Sequence, residues 1–251
     1  MSPKTKSCAR LAALCLSLLA AACTTPPVTP EIRAAVAAPD RSEADRKTDQ
    51  RRHPAQLLAF AQVRSGMKVL DLGAGAGYST EILARAVGAS GMVYGQNSQE
   101  AIDRYLKTRF DDRFAKFPLK NVVKVIRPDA DPVPAENAPF DLITIFFAYH
   151  DMAGAGIDRV MMLKRCYAAL KPGGVMVIAD HAAQAGTGTT VTRTLHRIDE
   201  ATVMQDFAAA GFRFDGHADF LRNPDDPRNT HSSRSPVKVD EFVLRFVKPA
   251  M

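Results

Sequence analysis

The chain has 251 residues, 46% of them hydrophobic and 24% charged, with a formal net charge of +6. This is enough apolar material for one α/β domain with a real core, and no run in its body approaches the ~20 consecutive apolar residues that span a bilayer. Half of the net charge lies in the first 22 residues, which hold Lys4, Lys6 and Arg10 and no acid. The remainder is too weakly basic to indicate a nucleic-acid partner.

Basic residues, then the short apolar run Leu11–Ala22, then Ala20-Ala21-Ala22-Cys23 are the three parts of a secretory signal peptide over residues 1–22. Leu19-Ala20-Ala21-Ala22-Cys23 resembles a bacterial lipobox. Lipidation of Cys23 and plain cleavage after Ala22 both fit, and both imply export to the periplasm. Membrane contact is then expected only through a lipid on Cys23. Cys8 and Cys15 leave with the leader, so Cys166 remains as a small core residue and no disulfide framework is available.

Residues 23–53 read as a tether, with three prolines between Thr24 and Pro30 and dense charge from Pro39 to His53; such composition buries little. A short solvated helix over 41–51 is compatible with it. The folded domain is expected over 54–251. Pro54 opens a helix over 54–64. Strands over 67–72, 92–95, 122–127, 140–147 and 175–180 alternate with helices over 80–87, 99–109 and 157–170, the last followed by the turn Pro172-Gly173-Gly174. This alternation implies a parallel sheet covered on both faces. A helix over 199–210 precedes two strands, 212–214 and 242–247, joined without a helix and so expected to pair antiparallel at the sheet edge.

The first strand runs into Asp71-Leu72-Gly73-Ala74-Gly75-Ala76-Gly77 and then into a helix. Strand, glycine turn and helix form the nucleotide-cradling unit of doubly wound sheets. A dinucleotide fingerprint needs G-x-G-x-x-G/A. Counting from Gly73 the third position is Tyr78, and from Gly75 it is Thr80, so an NAD-dependent oxidoreductase is disfavoured.

The D-x-G-x-G-x-G spacing resembles motif I of class I S-adenosylmethionine (SAM)-dependent methyltransferases. Phe140-Asp141-Leu142-Ile143 and Leu170-Lys171-Pro172-Gly173-Gly174 follow in that family's order, over roughly residues 54–248. With the N-terminus and the Asn-Pro-Asp-Asp-Pro segment at 223–227, the chain is similar to an exported bacterial subgroup of predicted methyltransferases. The resemblance implies a Rossmann-like seven-stranded sheet, mostly parallel with an antiparallel last strand and helices on both faces. It implies SAM as cofactor, with Gly73, Ala74, Gly75 and Gly77 along its methionine part, Asp71 toward the cationic end and Asp129 near the adenine. Where the family grips the ribose hydroxyls with an acid, this chain has Asn97, with Gln96 beside it. An amide accepts less strongly than a carboxylate.

Tyr149-His150-Asp151 follows the fourth strand, where the family places substrate-facing residues. His150 has the intrinsic pKa of a general base and Asp151 is placed to orient it; the position equally suits a histidine capping the strand or the next helix. Asp180-His181 is a second such pair. His150, Asp151, Asp180 and His181 match no closed zinc spacing, so no metal is expected. His196-Arg197-Asp199 suits either a cleft rim or a helix start. The sequence thus points to methyl transfer onto a small molecule, or else to a non-catalytic envelope binding protein on the same fold.

Overall fold

A computed structural model describes residues 26–250. The leader expected at 1–22 and the lipid-bearing Cys23 lie outside the described residues. Among the described residues, no helix is long and apolar enough to cross a membrane.

Seven strands among the described residues form one sheet: β1 (Lys68–Leu72), β2 (Met92–Asn97), β3 (Val122–Ile126), β4 (Phe140–Phe146), β5 (Leu170–His181), β6 (Arg213–Ala218) and β7 (Glu241–Val247). Their order is β3-β2-β1-β4-β5-β7-β6. β1 to β5 pair in parallel, and β7 runs antiparallel to both β5 and β6. The seven-stranded Rossmann-like expectation is met, and the last two strands close the sheet edge as an antiparallel pair. The turn expected at Pro172-Gly173-Gly174 is instead a bulge near the start of β5, where pairing jumps from Phe140–Leu170 to Leu142–Val175. Lys248 fastens it, through bonds to the Gly173 and Gly174 backbones.

Among the described residues, ten α-helical segments surround the sheet: α1 (Pro30–Ala37), α2 (Glu43–Arg52), α3 (Pro54–Phe60), α4 (Tyr78–Val87), α5 (Gln99–Ala101), α6 (Arg109–Lys116), α7 (Tyr149–Gly154), α8 (Arg159–Ala169), α9 (Thr192–Leu195) and α10 (Glu200–Ala209). The single helix expected over 99–109 is broken: α5 passes into a π-helical turn at Ile102–Leu106, and Lys107 takes a left-handed φ of 53°. Side-chain alternation sorts the strands between two cores. Leu70, Ile143 and Ile178 face α7, α8 and α10, burying Met152, Met162 and Phe207. Val69, Leu142 and Val177 face the other way, onto Leu57, Leu58, Ile82 and Leu83. Cys166 lies in the first core as expected, and burial pushes its thiol up to about 12.

The tether reading is corrected from residue 30 onward. Ile32 of α1 is 1% exposed and belongs to the second core. The charges of the next stretch are paired rather than solvated. Arg41 makes two bonds to Asp49 at 2.7 and 2.8 Å, and Asp45 takes two from Arg113 of α6 at 2.7 and 3.0 Å. Composition signals disorder only while charges lack partners, and these partners lie 8 and 68 residues downstream.

Candidate functional site

The order of the sheet reverses between β1 and β4, and ligands of doubly wound sheets bind outside the strand ends at such a point. The glycine loop leaves β1 there and enters α4. Gly73 and Gly75 both have φ of 59°, a region that disfavours side chains. A Cβ on Gly73 would come within 2.6 Å of the Ala148 Cβ, whereas one on Gly75 would meet nothing within 4 Å. The first glycine therefore permits packing against the segment after β4, and the second leaves an open face for a ligand.

Asp71 does not face that opening. Its carboxylate accepts from Ser79 Oγ at 2.9 Å, Thr80 Oγ1 at 2.6 Å and Thr144 Oγ1 at 2.8 Å. Complete burial nevertheless pushes its pKa above the ordinary value. Its observed role is to fix the loop to α4 and β4.

The residues at the end of β2 hold the loop from the other side. Gln96 Oε1 accepts from Gly73 N at 3.1 Å, and its Nε2 donates to Arg127 O and to Asp129 Oδ1. Asp129 also accepts from Ser98 Oγ at 2.9 Å. Asn97 accepts from Gly75 N at 2.9 Å and donates to Gly75 O at 3.0 Å. Asp71, Gln96, Asn97 and Asp129 are thus all brought to the loop, each bonded to protein groups.

A second polar cluster lies beside the loop, at the ends of β4 and β5. Phe147, with a left-handed φ of 59°, turns the chain from β4 into α7. His150 is then fully buried against Asp180. Asp180 accepts from the His150 backbone N at 2.9 Å and from Nδ1–H at 2.5 Å. A carboxylate only accepts, so Nδ1 carries the proton and Nε2 offers a lone pair. Burial alone would lower the His150 pKa; the Asp180 charge outweighs it and the net shift is upward.

His196 completes the cluster. Its backbone is left-handed, with φ of 56°, at the end of α9. Residues 196–198 run beside β5, bonded through Ile198 N to His181 O and Ala183 N to Ile198 O. This brings His196 Nε2 to 3.2 Å from His150 Nε2 and 3.0 Å from Asp151 Oδ1. Ser232 Oγ lies 3.3 Å from His196 Nδ1, and the His231 ring stacks on that of His196 at 5.2 Å.

The 223–227 segment supports this wall. Asp226 pairs with the buried Arg197 at 2.8 Å and accepts from Asp240 N at 2.7 Å; Arg197 Nε donates to Thr230 O at 2.9 Å. Tyr149 is not brought to the cluster. One residue before His150 on α7, it faces inward and its hydroxyl donates to Asp206 at 2.9 Å.

α2 lies across both halves, an arrangement the sequence reading missed. Tyr78 OH donates to Asp49 at 2.6 Å beside the loop. Arg51 Nη1 donates to Glu241 Oε1 at 2.9 Å, and the same oxygen is 3.0 Å from His181 Nδ1. The only local signal was the run Asp45, Asp49, Arg51 and Arg52, whose distant partners no sequence pattern indicated.

Residues 69–174 match the family model described as a methyltransferase domain. The chain is 32% identical over 118 residues to a ubiquinone/menaquinone biosynthesis C-methyltransferase of Idiomarina loihiensis, covering 47% of this chain and 44% of that protein. It is 35% identical over 115 residues to a demethylmenaquinone methyltransferase of Staphylococcus aureus, covering 46% and 43%. The chain thus spans less than half the length of these curated relatives. A SAM-dependent methyltransferase from Aquifex aeolicus superposes with a TM-score of 0.54 at 18% identity over 88% of this chain and 94% of that one. The [4+2]-cyclase SpnF superposes with a TM-score of 0.59 at 16% identity, over 83% and 82%. The structural matches establish the fold. The methyltransferase-domain match is confined to residues 69–174, and S-adenosylmethionine is the cofactor for which the Aquifex neighbour is named.

Proposed function

We propose that this chain transfers a methyl group from S-adenosylmethionine to a small molecule whose nucleophilic atom must first lose a proton. One juxtaposition carries the reading. The glycine loop of the methyltransferase domain abuts Ala148, two residues before His150, whose Nδ1 is held by Asp180 and whose Nε2 keeps a lone pair. Methyl transfer needs alignment of nucleophile, methyl and sulfur, and a base only where the nucleophile is protonated. The curated relatives are named for quinone biosynthesis; a ring bearing an acidic hydroxyl is an acceptor of the proposed kind. The basic–apolar–Ala-Ala-Ala-Cys N-terminus supports an exported, envelope location.

A second reading, a ligand-binding protein on the same fold, is favoured by Asn97, whose amide is spent on Gly75 where the resemblance led us to expect a ribose-gripping acid. That a protein named as a cyclase shares the fold makes the same point about chemistry. Isothermal titration with SAM, S-adenosylhomocysteine and NAD separates the readings. Binding of the first two and not the third is expected. Failure of both to bind at millimolar concentration would overturn methyl transfer.

A further inference from the structure

The cluster of His150, Asp151 and His196 has a geometry that acid–base chemistry does not require. Three potential ligand atoms converge: His150 Nε2, His196 Nε2 and Asp151 Oδ1. Their separations are 3.2 Å between the two nitrogens, 3.0 Å from His196 to Asp151 and 3.4 Å from His150 to Asp151. Ligands about 2.0–2.1 Å from a tetrahedral zinc stand roughly 3.3 Å from one another. The triangle is therefore that of one face of a metal coordination shell.

The outer partners agree. A metal-binding imidazole offers one nitrogen to the ion and donates through the other to an oxygen that fixes its tautomer. His150 Nδ1 is held by Asp180 at 2.5 Å, and His196 Nδ1 lies 3.3 Å from Ser232 Oγ. His150 Nε2 is thereby left as a lone pair that lies 3.0 Å from His196 Nδ1 and 3.2 Å from His196 Nε2, and a cation bound among these groups would satisfy it. His196 also holds its left-handed backbone, at φ of 56°, in the pose that presents this ring. Local strain of this kind persists only where the surroundings enforce it, and the Arg197–Asp226 pair next to it, fully buried on both sides, does so.

We infer that His150, His196 and Asp151 form a binding site for a divalent cation of the zinc class, with Asp180 and Ser232 as its outer partners. Two imidazoles and one carboxylate favour zinc, iron(II) or cobalt(II) over magnesium or calcium, which prefer all-oxygen shells. Three protein ligands leave at least one position open. The open position takes water or, on the methyl-transfer reading above, an oxygen of the acceptor; His150 Nε2 is then bound to the cation, which takes over from it the task of making the acceptor's proton easier to lose. The sequence concealed the site because its ligands lie at 150, 151 and 196, a spacing that belongs to no closed zinc pattern.

The test uses the purified full chain, stripped with a chelator and titrated with zinc against a chromophoric competitor, and separately with cobalt(II). One zinc per chain is expected, with cobalt(II) giving the visible bands of a low-coordinate nitrogen–oxygen site. His196→Asn, chosen because asparagine tolerates a left-handed backbone, and Asp151→Ala should each weaken zinc binding by about 100-fold or more. Asp180→Asn and Ser232→Ala should weaken it by about 10- to 100-fold. Zinc should raise the melting temperature of the parent chain but not of His196→Asn, and S-adenosylhomocysteine titration of the same samples reports whether the fold and loop are intact. Stoichiometry well below one, or affinity undiminished in a folded His196→Asn variant, overturns the inference. Zinc binding without S-adenosylhomocysteine binding would leave the metal site standing and overturn methyl transfer; the reverse would overturn the metal site alone.

Discussion

Asn97 grips Gly75 by both ends of its amide, Oδ1 accepting from the glycine N–H and Nδ2 donating to the glycine carbonyl. The two bonds tie the end of β2 to the centre of the glycine loop. Aspartate at position 97 keeps the accepting half and sets a carboxylate against the carbonyl oxygen. We expect Asn97→Asp to destabilise the ligand-free protein by about 1–2 kcal/mol, the cost of a lost and unreplaced buried bond. Denaturant unfolding measures it, and unchanged stability would show that the amide is not engaged with the loop.

Gly75 itself offers a cleaner probe of binding. A side chain there meets no protein atom within 4 Å, so Gly75→Val intrudes only on the space outside the loop, at a conformational cost of about 1–2 kcal/mol for its positive φ. The variant is expected to fold and to lose S-adenosylhomocysteine affinity at least tenfold. Retained affinity in a folded variant would remove this loop from the binding site.

His150 should separate chemistry from cofactor affinity. Its ring touches Asp180, His196 and Asp151 rather than the glycine loop. His150→Ala is expected to lower turnover of an identified acceptor by about 10²–10⁴-fold, with S-adenosylhomocysteine affinity changed by less than threefold. Equal losses in both would mark the residue as a structural support.

The docking of α2 should depend on pH. Burial alone would raise the Asp45 pKa; the bonds from Arg113 and Ser42 outweigh it, and the carboxyl ends below its ordinary 3.8. A depressed carboxylate contributes stability that is present above the unfolded value and is lost as pH falls through the folded one. Protection factors of the α2 amides in hydrogen exchange, each taken relative to the intrinsic rate at that pH, should therefore be high at about pH 5 and lower at about pH 3. Arg113→Leu should give low protection factors at both. An α2 equally protected at both values would show that the ion pairs do not hold it.

Export makes a separate claim, on residues 1–22. Intact-mass measurement of the mature protein should show their loss, with either a diacylglycerol-modified or a free Cys23. A retained Met1 would sink the claim.

By itself the sequence determined the sheet and its glycine loop, because both are written in local patterns. Mostly apolar runs at Met67–Leu72 and Phe140–Phe147 specify strands buried on both faces. Glycines at 73, 75 and 77 specify a loop that only residues tolerant of positive φ can form. It also placed His150 just after β4, where the structure has it on α7. The tertiary structure alone decided what these groups touch. His196 was one candidate rim residue among several until the chain beside β5 carried it 46 positions back to His150. The charged stretch before residue 53 looked solvated until Arg113, Tyr78 and Glu241 met it across the cleft. Backbone propensity and hydrophobic periodicity act over a few residues, whereas ion pairs and ligand sets depend on distance in space. Which polar residues are partners is therefore fixed only when the sheet brings its strand ends together.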